Sequence, residues 1–90
     1  MNTHDILVKQ KVEFAILNHK LLKFDYVSND ISLTRDRIVE PIQMLKGKDG
    51  ELDKVACNKW PYADFLDVEQ RIFSFKGIEN LRLIDYDKTY

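Results

Sequence analysis

The sequence lacks most of the features that stabilise secreted domains or anchor membrane proteins. It has 90 residues and a single cysteine, Cys57, so no disulfide can form within the chain. No apolar stretch approaches the roughly 18 residues that indicate a membrane span, and the first residues lack the basic start and apolar run of a signal peptide. We therefore expect a cytoplasmic protein in a reducing environment, with no membrane partner.

Motifs for catalysis, metal binding and phosphate binding are also missing. The three glycines are too dispersed to form a phosphate-binding loop. His4 and His19 follow no ligand spacing with Cys57, and no nucleophile motif accompanies them, which argues against a zinc site or a catalytic triad. We expect Cys57 to be a small buried apolar side chain, and we expect no enzymatic activity, no cofactor and no bound metal.

The charge is nearly balanced, with 14 Lys and Arg against 15 Asp and Glu and a net charge of −1. Proteins that coat nucleic acid through its phosphates alone are usually strongly basic, so this balance argues against non-specific DNA coating. The balanced charge is still compatible with a local basic patch. Hydrophobic residues make up 44% of the chain, enough for one core, and we predict a single domain over residues 1–90.

Residues 5–18 are predicted to form a helix, capped at its start by Asn2 or Thr3. One arc of this helix is apolar at helical spacing and is expected to face a sheet. Its members are Val8, Val12, Ala15 and Ile16. A second arc is more apolar than a helix on an isolated small domain needs, and it consists of Leu7, Phe14 and Leu17. We predict that this second arc is a partner interface or is covered by the C-terminal segment.

From residue 21 onward the hydrophobic pattern changes from helical to alternating, which predicts short strands. Turns are expected at residues 28–30, at residues 47–50 and at Gly77. Pro41 lies within the second predicted strand and marks an edge, bulge or bend, because it cannot donate to a ladder. One helix and four or five strands favour a mainly β fold, with a small barrel over about residues 21–84 and a short C-terminal tail.

Arginines and aromatics provide the main binding signal. Arg35 and Arg37 lie on one strand face, and Arg71 begins another strand with Phe73 two residues later. Guanidinium groups bind phosphates in a forked geometry, and aromatic rings such as that of Tyr26 stack on bases. Two interpretations stay open: solvated or salt-bridged arginines around core aromatics, or a ligand-facing patch. Two roles also stay open for the loop aromatics Trp60 and Tyr62: packing inside their loop, or stacking on a base.

Three segments resemble motifs of the WYL domain family. Ala15-Ile16 ends the predicted helix, residues 22–26 read Leu-Lys-Phe-Asp-Tyr, and residues 37–42 read Arg-Ile-Val-Glu-Pro-Ile. Residues 71–78, Arg-Ile-Phe-Ser-Phe-Lys-Gly-Ile, are similar to the family's Arg-x-Phe-Arg-Leu-Asp-Arg-Ile segment. Order and spacing agree over about residues 8–84.

The sequence departs from the family pattern at several positions. The Trp-Tyr-Leu tripeptide is absent, and residues 52–54, Leu-Asp-Lys, stand near its place. Ser74 and Gly77 occupy the positions of the second and third arginines of the late motif. Lys76 carries a positive charge nearby, on the opposite strand parity to Arg71. A helix-turn-helix, which usually accompanies the family's domain, is not evident in the sequence.

The resemblance implies an Sm-like, SH3-type barrel that acts as a regulatory binding module in bacteria or their phages. Its expected ligand is single-stranded nucleic acid or a nucleotide-like molecule, and its expected role lies in transcription or anti-phage regulation. The expected binding residues are Arg37, Arg71, Arg35, Tyr26, Phe73 and Lys76. The alternative function is a protein-interaction domain that forms a homodimer or docks to a larger protein through Leu7, Phe14 and Leu17.

Overall fold

A computed structural model describes residues 2–88 as one helix followed by five strands. Helix α1 spans Thr3–Leu17. The strands are β1 (Leu21–Val27), β2 (Leu33–Lys46), β3 (Leu52–Lys59), β4 (Gln70–Ser74) and β5 (Ile78–Ile84). Single turns of 3-10 helix lie at Phe65–Asp67, Phe75–Gly77 and Tyr86–Lys88. The fold is therefore mainly β with one N-terminal helix, as the pattern of the sequence predicts.

The five strands form one antiparallel sheet in the order β4-β3-β2-β1-β5, and this sheet is not closed into a barrel. The predicted barrel closure is therefore wrong. Within residues 2–88, the edge strands β4 and β5 do not pair with each other. The 3-10 turn Phe75–Gly77 joins them, and its Phe75 is fully buried in the core. Because the chain enters the core at this turn instead of continuing as a hairpin, the two edges stay apart.

Helix α1 begins at a side-chain cap and lies across the sheet. The Asp5 amide donates to Asn2 Oδ1 at 2.8 Å, and the Asp5 carboxylate complements the positive end of the helix dipole. The predicted sheet-facing residues Val8, Val12 and Ala15 are buried, and they join the core cluster with residues of every strand. The helix starts two residues before the predicted position because Asn2, and not Thr3, is the cap.

The core contains the single cysteine as a packing residue. Cys57 is fully buried, and burial raises the pKa of its thiol to about 12. A thiol with such a raised pKa is a poor nucleophile at neutral pH. The expectation that Cys57 is a small apolar side chain is confirmed.

Two bulges bend the sheet on either side of β1, and one carboxylate joins them. Asp36 in β2 and Asn80 in β5 have φ angles of 53° and 55° and lie where the pairing with β1 shifts register. Asp25 lies between them and is 8% exposed. Its carboxylate accepts from the Asp36 amide at 2.9 Å and from Asn80 Nδ2 at 2.9 Å. Asp25 thus fixes the bend that orients the first half of β2.

We expect Asp25→Ala to lower the thermal midpoint, because it leaves the Asp36 amide without its acceptor in a buried setting. The Asp36 amide, followed by Asn80, lowers the pKa of Asp25 below its usual value. A carboxylate with a lowered folded-state pKa stabilises the fold above its unfolded pKa of about 4, and that contribution is lost as the pH falls through the folded pKa. The difference between wild type and variant should therefore be smaller at pH 3 than at pH 7.

Thermal unfolding followed by circular dichroism at both pH values tests this prediction. Asp67→Ala is the matched control, since Asp67 is exposed and should change the midpoint little at either pH. A loss of stability at Asp25→Ala that is equal at pH 7 and pH 3 would show that the carboxylate charge is not involved.

Candidate binding site

The register of the sheet places two of the predicted arginines on the face that also carries the core. Arg37 in β2 lies opposite Phe24 in β1, and Arg71 in β4 lies opposite Cys57 in β3. Residues that face each other across antiparallel strands project to the same side of the sheet. Since Phe24 and Cys57 are fully buried, both arginines extend from the edge of the apolar core.

A first cavity of about 320 Å³ brings four of the six expected binding residues together. These residues are Tyr26, Arg37, Arg71 and Phe73. The remaining wall comes from β4, from the turn between β1 and β2 and from the start of β2. It consists of Ser28, Asp30, Ser32, Thr34 and Ile72. The cavity is therefore basic and aromatic on one side and rich in hydroxyl groups on the other.

Arg37 is held in position without an acidic partner. Its Nε donates to Thr34 Oγ1 at 2.6 Å, and its Cζ lies 5.2 Å from the centroid of the Phe73 ring. Among residues 2–88, no carboxylate forms an ion pair with this guanidinium within 4.0 Å. A positioned guanidinium of this kind favours an anion, because little side-chain entropy is lost on binding.

Arg71 differs from Arg37 because it already has an acidic neighbour. Its Nε donates to Glu69 Oε1 at 2.9 Å, and its second terminal nitrogen contacts the same oxygen. The two side chains are 53% and 46% exposed, so this is a surface ion pair of small net energy. An incoming phosphate would compete with Glu69 for Arg71.

The aromatic residues of the site pack beneath its polar groups and expose little ring surface to a ligand. Phe73 is 3% exposed and packs edge-to-face against Phe24 and Tyr26, with ring centroids 5.1 Å and 4.9 Å away. The Arg37 guanidinium therefore packs on the Phe73 ring, and this ring has no exposed face on which a base could stack. Tyr26 is half-buried, and its hydroxyl accepts from the Ser74 amide at 3.2 Å.

A second cavity of about 280 Å³ adjoins the first, since both are lined by Arg37, Arg71 and Phe73. It lies where β3 ends: Lys59 pairs with Val39, the Trp60 amide donates to the Ile38 carbonyl at 3.2 Å, and residues 33–37 of β2 pair in the sheet only with β1. The other residues that line it are Arg35, Asp36, Ile38, Val39, Lys59 and Trp60. We call the two cavities together the arginine groove.

Lys76 lies away from this groove, and the backbone of the next residue, Gly77, is closely packed. Lys76 is exposed in the 3-10 turn Phe75–Gly77 and lines neither cavity. A Cβ atom at Gly77 would lie 2.5 Å from the Val27 carbonyl oxygen and 2.7 Å from Tyr26 Cε1. This backbone leaves no space for the arginine that the motif has at position 77.

Sequence reasoning missed the residues that complete the groove. Thr34, which orients Arg37, and Lys59, at the end of β3, carried no motif. Ser28 and Asp30 were identified only as turn residues. Their contribution depends on which strand ends lie side by side, and a single sequence contains no signal for that.

The second apolar arc of α1 is exposed to solvent. Leu7 and Phe14 are each 53% exposed and Leu17 is 72% exposed. The expectation that the C-terminal segment covers this arc is wrong for the residues up to 88. Tyr86 lies elsewhere: its hydroxyl donates to a Glu40 oxygen at 2.8 Å, and its ring packs on another loop. Residues 89–90 lie outside the described part of the chain.

Comparison with known proteins gives no assignment: no family model, no curated protein and no solved structure matches this chain. Among residues 2–88, no helix combines the length and apolar composition needed to cross a membrane. The same residues contain no group of three or more His, Cys, Asp or Glu side chains placed to hold a metal ion. The arginine groove is thus the feature from which a function can be argued.

Proposed function

We propose that this protein is a non-enzymatic regulatory module of WYL type that binds single-stranded nucleic acid or a nucleotide-like ligand. The observation that carries the proposal is the first cavity. Tyr26, Arg37, Arg71 and Phe73 come from three different strands, and the resemblance to the family selected them from separate motifs. Their convergence on one cavity supports a shared binding role in transcription or anti-phage regulation.

The charge distribution supports an anionic ligand despite the net charge of −1. Arg35, Arg37, Lys59 and Arg71 all line the arginine groove, and Arg37 has a stacked, hydrogen-bonded guanidinium. Guanidinium groups match the geometry of phosphate oxygens, and fixed groups lose little entropy on binding. A local basic groove on a nearly neutral protein favours a specific site over general coating of nucleic acid.

The topology is also compatible with the family. A helix precedes five antiparallel strands, and a short 3-10 turn connects the two edge strands. We propose this open antiparallel sheet as the scaffold of the binding module, with the arginine groove at the end of β3.

Fluorescence anisotropy with a labelled single strand of roughly 12 nucleotides tests the proposed function. We expect a micromolar or lower dissociation constant at about 50 mM salt, and a linear fall of log K with log salt concentration. A high ratio of absorbance at 260 to 280 nm before a high-salt wash would add independent support. Absence of binding at low salt would exclude this function.

The exposed arc of α1 favours a second candidate function, a protein-interaction domain. Leu7, Phe14 and Leu17 form an apolar strip on the helix face opposite the sheet, and such strips mark interaction sites more often than free surface. We propose as the alternative that this strip binds a second copy or a larger regulator.

Light scattering tests this alternative. We expect a dimer or a stable hetero-complex in wild type and a monomer with an unchanged circular dichroism spectrum in Phe14→Asp, because a charge in an apolar interface is strongly unfavourable. Leu66→Asp is the control, since Leu66 is 82% exposed on another part of the surface. A wild-type monomer at high concentration that captures no protein partner would exclude the alternative.

A further inference from the structure

We infer that the arginine groove binds a strand of nucleic acid across an internal phosphate, with one nucleoside in each cavity. The inference rests on the proposed function and deepens it. The proposed function allows either a nucleotide or a strand as the ligand, and the inference selects the strand. It also assigns a binding role to residues that no motif identified, Lys59 and Trp60.

The first step is the position of the two arginines between the cavities. Arg37 and Arg71 line both cavities, so two of the four cations of the groove lie where the cavities meet. An internal phosphodiester has a nucleoside on each side and fits such a junction. The phosphate of a mononucleotide is terminal, and a mononucleotide bound through it would occupy only one cavity.

The second step is the distribution of negative charge. Asp30 lines the first cavity, where Ser28 Oγ and the Ser32 amide donate to its carboxylate and lower its pKa. Asp36 lines the second cavity and forms a 3.4 Å ion pair with Arg82. Each cavity therefore contains one acid, whereas the junction of the cavities carries Arg37 and Arg71, which favours a phosphate there. Uncharged bases and sugars are compatible with the remaining space.

The third step is the size of the cavities. Small-molecule pockets usually enclose about 300–1,000 Å³. At about 320 Å³ and 280 Å³, each cavity lies at the lower limit of that range. The two together provide a continuous path along the end of the sheet.

The fourth step is the aromatic wall of the second cavity. Trp60 packs edge-to-face with Tyr62 and Tyr86, with ring centroids 5.2 Å and 5.0 Å away. The hydroxyls of both tyrosines donate to Glu40, at 3.1 Å and 2.8 Å. This network fixes the indole before any ligand arrives, which is the condition for stacking a base at low entropic cost.

Lys59 and Arg35 also line the second cavity. They place two cations beside the part of the nucleic acid that lies beyond the junction. The first cavity instead presents hydroxyl groups from Ser28, Ser32 and Thr34. Hydroxyl groups both donate and accept, so they suit the polar edge of a base or a sugar hydroxyl. The two cavities thus differ in chemistry, which gives the bound strand a direction.

Isothermal titration with a dinucleoside monophosphate and with a nucleoside 5′-monophosphate tests the inference. We expect the dinucleotide to bind about 10-fold more tightly, since one additional stacked base contributes on the order of 1–3 kcal/mol. Trp60→Ala should remove the advantage of the dinucleotide over the mononucleotide, whereas Trp60→Phe should retain most of it. Matched DNA and RNA dinucleotides identify which sugar the first cavity prefers.

A wild-type measurement keeps the test valid if the Trp60 variants lose stability. The indole N–H resonance of Trp60, the single tryptophan, should shift more when the dinucleotide binds than when the mononucleotide binds. Equal affinity for the two probes, with no shift of the indole resonance, would overturn the strand inference and leave the proposed function intact. Absence of binding by either probe and by longer strands would overturn both.

Discussion

Replacing Gly77 with alanine is expected to destabilise the protein by about 3 kcal/mol, the upper end of the range for overpacking. The added Cβ would lie 2.5 Å from the Val27 carbonyl oxygen and 2.7 Å from a ring carbon of Tyr26. A backbone oxygen cannot move without moving the end of β1. The 3-10 turn must therefore shift away from β1, and Phe75, which is fully buried in that turn, must shift with it.

Thermal unfolding is the direct measurement for Gly77→Ala. A fall in the midpoint on the order of 10–20 °C is expected for a chain of this length. Gly50→Ala is the matched control: Gly50 has φ of 81° but nothing within 4 Å of its added Cβ, so only backbone strain of about 1 kcal/mol is expected. Gly77→Arg, which places a much larger side chain in the same space, should fail to fold. Equal midpoints for wild type and Gly77→Ala would contradict the packing described here.

Replacing Arg37 with alanine is expected to weaken binding of single-stranded nucleic acid by about 10- to 100-fold, because hydrogen bonds to charged groups contribute about 1.5–3 kcal/mol. Arg37 has no acidic partner among residues 2–88, so all of its charge is available to a phosphate. Arg37→Lys should not restore affinity. An ammonium group neither stacks on Phe73 as a plane nor donates to Thr34 and a phosphate in the same geometry.

The salt dependence of binding distinguishes a phosphate contact from a loss of folding. For Arg37→Ala, the slope of log K against log salt concentration should decrease in magnitude by about 1. Lys76→Ala is the control, because Lys76 is an expected binding residue that lies outside the arginine groove. Anisotropy titrations in which Lys76→Ala reduces affinity as much as Arg37→Ala would place the site elsewhere.

Local pattern predicted the elements of this fold well, because each element is encoded by neighbours in the chain. The helical spacing of Val8, Val12 and Ala15 identified the buried face of α1. Pro41 indicated an irregularity in β2, and the pairing of β2 with β3 does shift register between Pro41 and Gln43. The turn at residues 47–50 joins β2 to β3 as predicted.

The sequence prediction was wrong about the sheet closing into a barrel. Residues 71–76 alternate in a way that favours a strand continuing through Phe75. In the structure β4 ends at Ser74, and Phe75 enters the core within a 3-10 turn. Burial of that large ring outweighs two further residues of ladder, and only contacts with distant residues determine where it is buried.

The binding residues likewise combine features that the sequence predicts with features that only the tertiary contacts determine. Their identities came from motifs, but the motifs did not distinguish the open guanidinium of Arg37 from the buried ring of Phe73. They also did not show that Lys76 lies apart from the groove. Those differences follow from the register of β1, β2, β3 and β4, which brings residues far apart in the chain to neighbouring positions.

The sequence by itself determined a mainly β chain with one N-terminal helix, a buried inert cysteine, and two helix arcs of which one packs on the sheet. Those properties depend on residue type and on periods of two or 3.6 residues, which are local. The tertiary structure alone decided that the sheet stays open, that Gly77 has no space for a side chain, and that two cavities share Arg37 and Arg71. Such features depend on strand ends, bulges and register, which are set by packing between distant segments.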